Sequence, residues 1–315
     1  MKKFKVAVIR GGKSAEREIS LKSGTQIAAT LAVRGHAVTE MDLSPELLAN
    51  LLEGRFDIVF LALHGRYGED GTIQGMLELY DIPYTGPGVL ASAICIDKAM
   101  TKRILIGASL PTPPGTMVYQ RDYDRNSECK VEDILNQVDL PVMVKPNREG
   151  STVGITLVEE ASALRLALED GFKHDSSVLV ERYIQGIELT VPVMGNSKPE
   201  ALPIIEIVPK KNRYYDYESK YAQGGSKHII PARLSEQTTK TIQELAIKAY
   251  TVLGCQVLSR IDFMYDTDTD SPYILEVNTL PGMTETSLVP DAARYLGLEF
   301  GELLERIICL SLEHR

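Results

Sequence analysis

The sequence predicts an α/β protein of two or three domains, and three observations predict it. The chain has 315 residues, too many for one ordinary hydrophobic core. Its first third opens on an apolar strand that runs into a glycine turn and a helix, KVAVIRGGKSAEREISLKSG, which is how an α/β unit begins. Its last third holds VLSRIDFMYDTDTDSPYILEVNTLPGM over 257–283, which reads as two strands joined by an acidic turn. The net charge of -9 argues against a general affinity for nucleic acid or an anionic membrane, since both need clustered Lys and Arg. Local lysines can still collect phosphates. The apolar run 6–9 before Arg10 falls short of a signal-peptide core of about 7 to 15 residues, and no segment approaches the roughly 18 apolar residues of a membrane span. Cys95, Cys129, Cys255 and Cys309 are scattered without paired spacing, as expected of thiols in a reducing compartment. A cytoplasmic location is expected.

In the N-terminal third, a buried strand is predicted over 4–9 and a helix from near Ser20. The glycines between them do not make a GxGxxG fingerprint, so a dinucleotide site is a weak reading. Glu16 stands in the strand-to-helix turn, where α/β folds place ligand contacts; it reads equally as a solvated turn carboxylate or a neighbour of the helix N-cap. A second unit follows, with strand 37–41, helix 45–52 and strand 57–63, ending in HGRYGEDGT. His64 sits at the carboxyl end of that strand, a place that favours ligand contact. It also reads as a helix-capping or core histidine.

The middle third predicts a helix over 91–106, with Lys98 inside it and Gly107, Pro111, Pro113 and Pro114 as its stop signals. A strand from Val142 closes on Lys145. PNREGSTVG then makes a glycine loop before a second strand at Ile155. Such a loop, with no helix after it and no GK[ST], suits a flap whose backbone N–H groups cover phosphates; an ordinary strand turn reads the same way. Strand 178–181 and strand 187–193 flank a turn at Gln185-Gly186. The backbone after Glu181 can hydrogen-bond an adenine and Glu188 can take ribose hydroxyls, or the pair is a hairpin with exposed carboxylates.

The C-terminal third begins with 210–231, which loses periodicity but is rich in tyrosine and lysine. This predicts a lid opening at Gly224-Gly225. A helix over 235–253 ends at Gly254, and a helical, structural region is predicted over 287–315. Within the hairpin, side chains two apart share a face. A turn near Thr269 therefore puts Arg260 opposite Asn278 and Asp262 opposite Glu276, while Ile261, Phe263, Leu275 and Val277 face the other, apolar way. Facing carboxylates repel, so a cation between them is expected, and the all-oxygen donor set points to magnesium. Magnesium so held completes its shell with phosphate and water. The hairpin thus reads as the floor of an ATP site, or as a surface hairpin with a polar outer face.

Five motifs in order carry a resemblance over essentially the whole chain: GGKSAEREISLKSG, ALHGRYGEDGTIQG, KPNREGSTVG, YDYESKY, and RIDF with LEVNTLPGMT. Together they make the sequence similar to the D-alanine–D-alanine ligases of the ATP-grasp superfamily. The resemblance implies three domains, over 1–96, 97–186 and 187–315 with the lid at 210–231. The first is a Rossmann-like parallel-sheet domain, and the ATP-grasp part is α+β. It implies ATP-dependent joining of two D-alanines through D-alanyl phosphate for peptidoglycan precursor synthesis, two Mg²⁺ ions with Mn²⁺ as a substitute, and a homodimer. By this resemblance Asp262, Glu276 and Asn278 ligate the metal. Lys98 and Lys145 bind phosphates; Glu181, Tyr183 and Ile184 contact adenine; Glu188 takes the ribose; Tyr214, Lys220 and Leu275 also line the ATP site. Glu16 holds the first D-alanine's ammonium and is tied to Ser151 and Tyr221, with His64 nearby. Ser287 and Leu288 bind the second D-alanine, while Arg260 and the Gly282 N–H face the acyl oxyanion. Tyr183 and Tyr214 stand where the family often has other aromatics. A D-alanyl-D-lactate ligase and a nucleotide-binding regulatory module are the competing readings; Tyr221 in YESKY speaks against the first, and the intact Arg260, Asp262, Glu276 and Asn278 against the second.

Overall fold

The computed structural model describes residues 2–150, 153–209 and 226–313. Strands β1 (Lys5–Arg10), β2 (Ala37–Asp42) and β3 (Ile58–Leu61) form a parallel sheet in the order β2-β1-β3, the parallel arrangement the sequence predicts. β1 is buried on both faces because its alternate side chains enter different cores. Val6 and Val8 pack with Ile27 and Leu31 of the helix Arg17–Val33, and Ala7 and Ile9 pack with Leu47, Leu51 and Leu77.

β4 (Gly115–Tyr119), β5 (Val142–Pro146), β6 (Thr156–Val158) and β7 (Ser177–Arg182) make an antiparallel sheet in the order β4-β7-β5-β6. Val142, Val144, Val178 and Val180 turn toward Leu164, Ala167 and Leu168 of the helix Ala161–Gly171. Period-2 alternation then sends Lys145 and Glu181 to the opposite face. β8 (Ile187–Met194), β9 (Glu200–Ala201), β10 (Ile205–Pro209), β11 (Ser226–Ile229), β12 (Leu258–Asp266) and β13 (Ser271–Asn278) form the last sheet, ordered β11-β10-β8-β12-β13 with β9 beside β8. Its apolar face meets Ile242, Ala246 and Ala249 of the helix Glu236–Val252. Among the described residues no helix is long and apolar enough to cross a membrane.

The structure corrects three expectations. The helix predicted over 91–106 is two, Val89–Ile96 and Lys98–Gly107, broken at Asp97. Asp97 has extended backbone and its carboxylate accepts the Met100 N–H at 3.0 Å, which is an N-cap. Lys98 is therefore the first residue of a helix and not an interior one. In the hairpin, a bulge between Asp262 and Phe263 pairs Phe263 with Ile274. Ile274 takes the core position beside Val277, and Leu275 is half-buried outside it. Finally, 226–229 is an antiparallel edge strand on β10; the rest of the expected lid up to 225, with Gly224 and Gly225, lies outside the described residues.

The terminal helix Phe300–Leu312 is fastened to the segments that lead into β1 and β2 by a buried carboxylate. Glu305 is paired with Arg34, with His36 Nε2 at 3.1 Å and Lys3 Nζ at 3.9 Å. Arg34 first, and His36 with it, hold the Glu305 carboxyl below its usual value against the opposing effect of burial. A depressed carboxylate contributes stability above its unfolded pKa and loses it as pH falls. Glu305→Gln is expected to lower unfolding free energy by about 2 kcal/mol at pH 7. The difference from the parent chain should shrink below about pH 4; urea titrations at both pH values check this, and equal stabilities at pH 7 would refute it.

Candidate active site

The polar face of the β12–β13 hairpin has the register the alternation predicts, Arg260 opposite Asn278 and Asp262 opposite Glu276. β8 extends the ladder by placing Thr190 opposite Asp262. Asp262 is buried and well supplied with donors. Arg260 forks onto it, Nε to Oδ1 at 2.8 Å and a terminal nitrogen to Oδ2 at 2.7 Å. The Asn278 amide donates to Oδ2 at 2.9 Å and the Thr190 hydroxyl to Oδ1 at 2.5 Å. Lys98 Nζ lies 3.9 Å from Glu276 Oε2. The facing carboxylates are thus countered by the chain's own Arg260 and Lys98, so their repulsion does not by itself demand a metal, which corrects the sequence argument. The donor chemistry fits magnesium all the same: two carboxylates and an amide oxygen, with no imidazole or thiolate, are a hard set.

The first sheet brings its loops to this face. Arg17 donates to the Gly12 carbonyl at 2.9 Å and to Asp42, and the Gly12 N–H donates to Asp42 at 3.1 Å. Arg17 draws the Asp42 carboxyl down to about 2. This network sets the glycine turn that presents Glu16. Glu16 occupies the N-cap position of the helix Arg17–Val33, yet its side chain caps nothing. Its buried carboxylate instead sits where a Cβ on Gly65 would come within 3.2 Å of Oε2 and one on Gly150 within 3.1 Å. Two loops from different sheets therefore close on one carboxylate, an approach that glycine allows.

His64 is buried and its Nδ1–H donates to the Leu280 carbonyl at 3.0 Å. That bond selects the tautomer with the proton on Nδ1, and the buried Nε2 makes no hydrogen bond among the described residues. Burial lowers the imidazole pKa despite the attraction of Glu16; the ring caps no helix but keeps the character of a core histidine, lining a small cavity with Phe60, Ala62, Leu258 and Met283. Glu69 takes the Gly65 N–H at 2.7 Å and the Leu280 N–H at 3.2 Å. Burial and then Glu16 push its carboxyl up to about 8. Leu280 is consequently held at both its N–H and its C=O by one N-terminal loop, which fixes the turn leading to Gly282. A Cβ on Gly282 would lie 3.3 Å from Ser287 Oγ. Ser287 in turn accepts the Thr284 N–H at 3.0 Å and precedes the buried Leu288.

The central sheet supplies the remaining wall. Lys98 Nζ donates to the Glu149 carbonyl in the glycine loop at 2.7 Å. Glu181 is 1% exposed, with Lys145 Nζ 2.5 Å from one carboxylate oxygen and Lys102 Nζ 2.5 Å from the other. Burial raises the Glu181 pKa, but Lys145 and Lys102 outweigh it and hold the group below its usual value. The hairpin-with-exposed-carboxylates reading thus fails at Glu181. The backbone that follows is not yet an edge either, because Arg182 and Tyr183 donate their N–H groups to the carbonyls of Pro114 and Pro141. Beyond them Ile184 is buried, and Glu188 stands opposite Met264 on the polar face of β8. Lys145 is within electrostatic reach of both Glu276 and Glu188, and Glu149 of Lys98 and Glu16. The three sheets therefore converge on one site.

Comparison with known proteins gives this convergence a family. The family described as D-ala D-ala ligase C-terminus matches residues 104–309, and D-ala D-ala ligase N-terminus matches residues 46–87. A D-alanine–D-alanine ligase of Carboxydothermus hydrogenoformans is 47% identical over 312 residues, covering 99% of both chains. The chain belongs to the D-alanine–D-alanine ligase family. A second member, from Pelotomaculum thermopropionicum, is 46% identical over 99% of this chain and 98% of its own. The solved structure of the Bacillus anthracis ligase complexed with ATP superposes with a TM-score of 0.82 at 32% identity, covering 98% of each chain. The fold of these ligases is thus the fold of this chain, mixed α/β with a parallel sheet first and antiparallel sheets after it.

Of the ligase residues named from sequence, Glu16, His64, Lys98, Lys145, Glu181, Arg260, Asp262, Glu276 and Asn278 are joined by the contacts above. Ser151, Tyr214, Lys220 and Tyr221 lie outside the described residues. Sequence reasoning missed Lys102, Glu69 and Thr190. Lys102 had a signal, since it follows Lys98 by one helical turn and so shares its face. Thr190 had another, as the polar residue at an alternate position of IELTVPVM. Glu69 had only its place in the HGRYGEDGT loop.

Proposed function

We propose that the chain joins two D-alanines into D-alanyl-D-alanine with ATP, through D-alanyl phosphate, for peptidoglycan precursors made in the cytoplasm. The observation that carries this reading is the polar face of the β12–β13 hairpin, with Arg260, Asp262, Glu276 and Asn278 in register beneath Lys98 and the glycine loop. The units 1–96, 97–186 and 187–315 each supply one wall. Asp262, Glu276 and Asn278 would hold Mg²⁺, two ions with Mn²⁺ as a substitute, and when bound the metal supplies positive charge against the ATP phosphates.

The chain's own groups do the rest. Glu16 takes the ammonium of the first D-alanine, whose carboxylate then faces Arg260. Two anions must approach for phosphoryl transfer, and Lys98, Lys145 and Arg260 offset that repulsion. The γ-phosphoryl group passes to a carboxylate oxygen and ADP leaves. The second D-alanine, held near Ser287 and Leu288, attacks the acyl phosphate once its amine has lost a proton. The resulting oxyanion is met by Arg260 and the Gly282 N–H, one such donor being worth roughly 3 to 4 kcal/mol of barrier. Collapse expels phosphate and leaves the peptide bond. Glu181, Tyr183, Ile184, Glu188 and Leu275 receive the nucleoside. The chain also works as a homodimer. In support, Leu79, Tyr80 and Leu90 are exposed at adjoining helix ends, where Glu78 meets Tyr84 at 2.6 Å and lies 3.8 Å from a Cβ placed on Gly88.

The test measures ADP release from ATP with a panel of D-amino acids and D-hydroxy acids. D-Alanine alone is expected to support release with stoichiometric dipeptide. Absence of ADP release with D-alanine would refute the ligase reading, and D-lactate accepted as well as D-alanine would replace it with the ester-forming one.

A further inference from the structure

We infer that Lys102 is a positioning residue of the nucleotide site, keeping Glu181 paired when Lys145 leaves that carboxylate for a phosphate. The inference rests on the reading of Lys145 as a phosphate ligand. Glu181 sits in the middle of the central sheet, 1% exposed, on β7 between β4 and β5. Each of its oxygens meets one lysine at 2.5 Å, Oε1 meeting Lys145 and Oε2 meeting Lys102. The one carboxylate is thus shared by two ammonium groups, so either lysine can depart without leaving it unpaired.

The two lysines are not equivalent. Lys145 lies near the end of β5, two residues from Asn147 and the start of the glycine loop, where Lys98 already reaches the Glu149 carbonyl. It also senses Glu276 and Glu188 across the site. Lys102 lies in the helix Lys98–Gly107 and is 6% exposed. Were Lys145 the sole partner, a phosphate could recruit it only by stranding a buried carboxylate, and removing one member of a buried pair is strongly unfavourable. With Lys102 in place, the shift leaves a one-to-one pair behind. Lys102 thus lets a single lysine serve Glu181 in the free protein and phosphate in the complex.

The test uses the full chain and two inhibitors competitive with ATP, tripolyphosphate for the phosphate half and adenosine for the nucleoside half. Lys102→Gln is expected to weaken ATP and tripolyphosphate about tenfold or more, while adenosine inhibition and the KM for D-alanine stay within about twofold. The double variant Lys102→Gln/Glu181→Gln releases Lys145, so tripolyphosphate inhibition should return to within about threefold of the parent chain. Equal weakening of tripolyphosphate and adenosine by Lys102→Gln would make Lys102 a structural prop and overturn the inference, as would unchanged tripolyphosphate inhibition. If the single variant does not fold, the double variant decides, and a persistent tenfold loss there overturns the inference too. Lys145→Gln separates the two levels: if it leaves tripolyphosphate inhibition intact, the phosphate-ligand reading itself is at fault.

Discussion

Glu276→Gln leaves the protein folded and lowers turnover by about a thousandfold or more, the scale expected when charge stabilisation at a phosphoryl-transfer site is lost. The change is nearly isosteric, and the Glu276 side chain is 28% exposed, so no core cavity opens and the melting temperature should move little. Two effects combine at the site. The amide removes one of the two carboxylates that face each other across the hairpin, which on the proposed assignment lowers affinity for a divalent cation. It also removes the anion 3.9 Å from Lys98 Nζ, which loosens the ammonium that contacts the glycine loop through the Glu149 carbonyl. Raising magnesium should therefore recover only part of the activity. Near-normal turnover at saturating magnesium would sink the assignment of Glu276.

The parts of this site that could be read from sequence are those set by local periodicity. Strand alternation shows which of residues 260–263 and 276–278 share a face, and with a turn placed near Thr269 it gives the register Arg260 to Asn278. The same rule failed one step away at Leu275, because a bulge changes the pairing count without changing the residue types. Asp97 shows a second limit. The apolar and basic residues around it suit one helix, and the break comes from its carboxylate capping Met100 while Cys95 and Leu105 settle into the core under the C-terminal sheet. The strand 226–229 is read as irregular from SKHI and becomes regular by pairing with β10. Long-range contacts leave the least trace. Nothing near Glu69 in sequence announces Leu280, and nothing near Glu16 announces Gly150; its place in the strand-to-helix turn marked Glu16 as a candidate, and only the family resemblance gave it a role.

Arg260→Met is expected to lower kcat by about 10²- to 10³-fold with a smaller change in the KM for ATP, because the role proposed for the guanidinium is to act where negative charge develops and not on the nucleoside. The protein should still fold. Asp262 keeps the Thr190 hydroxyl and the Asn278 amide as donors, and methionine retains the apolar stem. The lost charge is felt beyond its own hydrogen bonds, since Arg260 also lowers the pKa of both His64 and Glu69. Without it the Glu69 carboxyl, already up to about 8, rises further, and any limb of the pH–rate profile that reflects Glu69 ionisation shifts to higher pH. Arg260→Lys restores the charge without the fork that grips both oxygens of Asp262. It should therefore return the pH profile toward that of the parent chain while recovering only a fraction of kcat. The two variants separate electrostatics from geometry. A methionine variant within about threefold of parental kcat would show that the oxyanion is stabilised by other groups, and a lysine variant with full kcat would show that charge suffices without the fork.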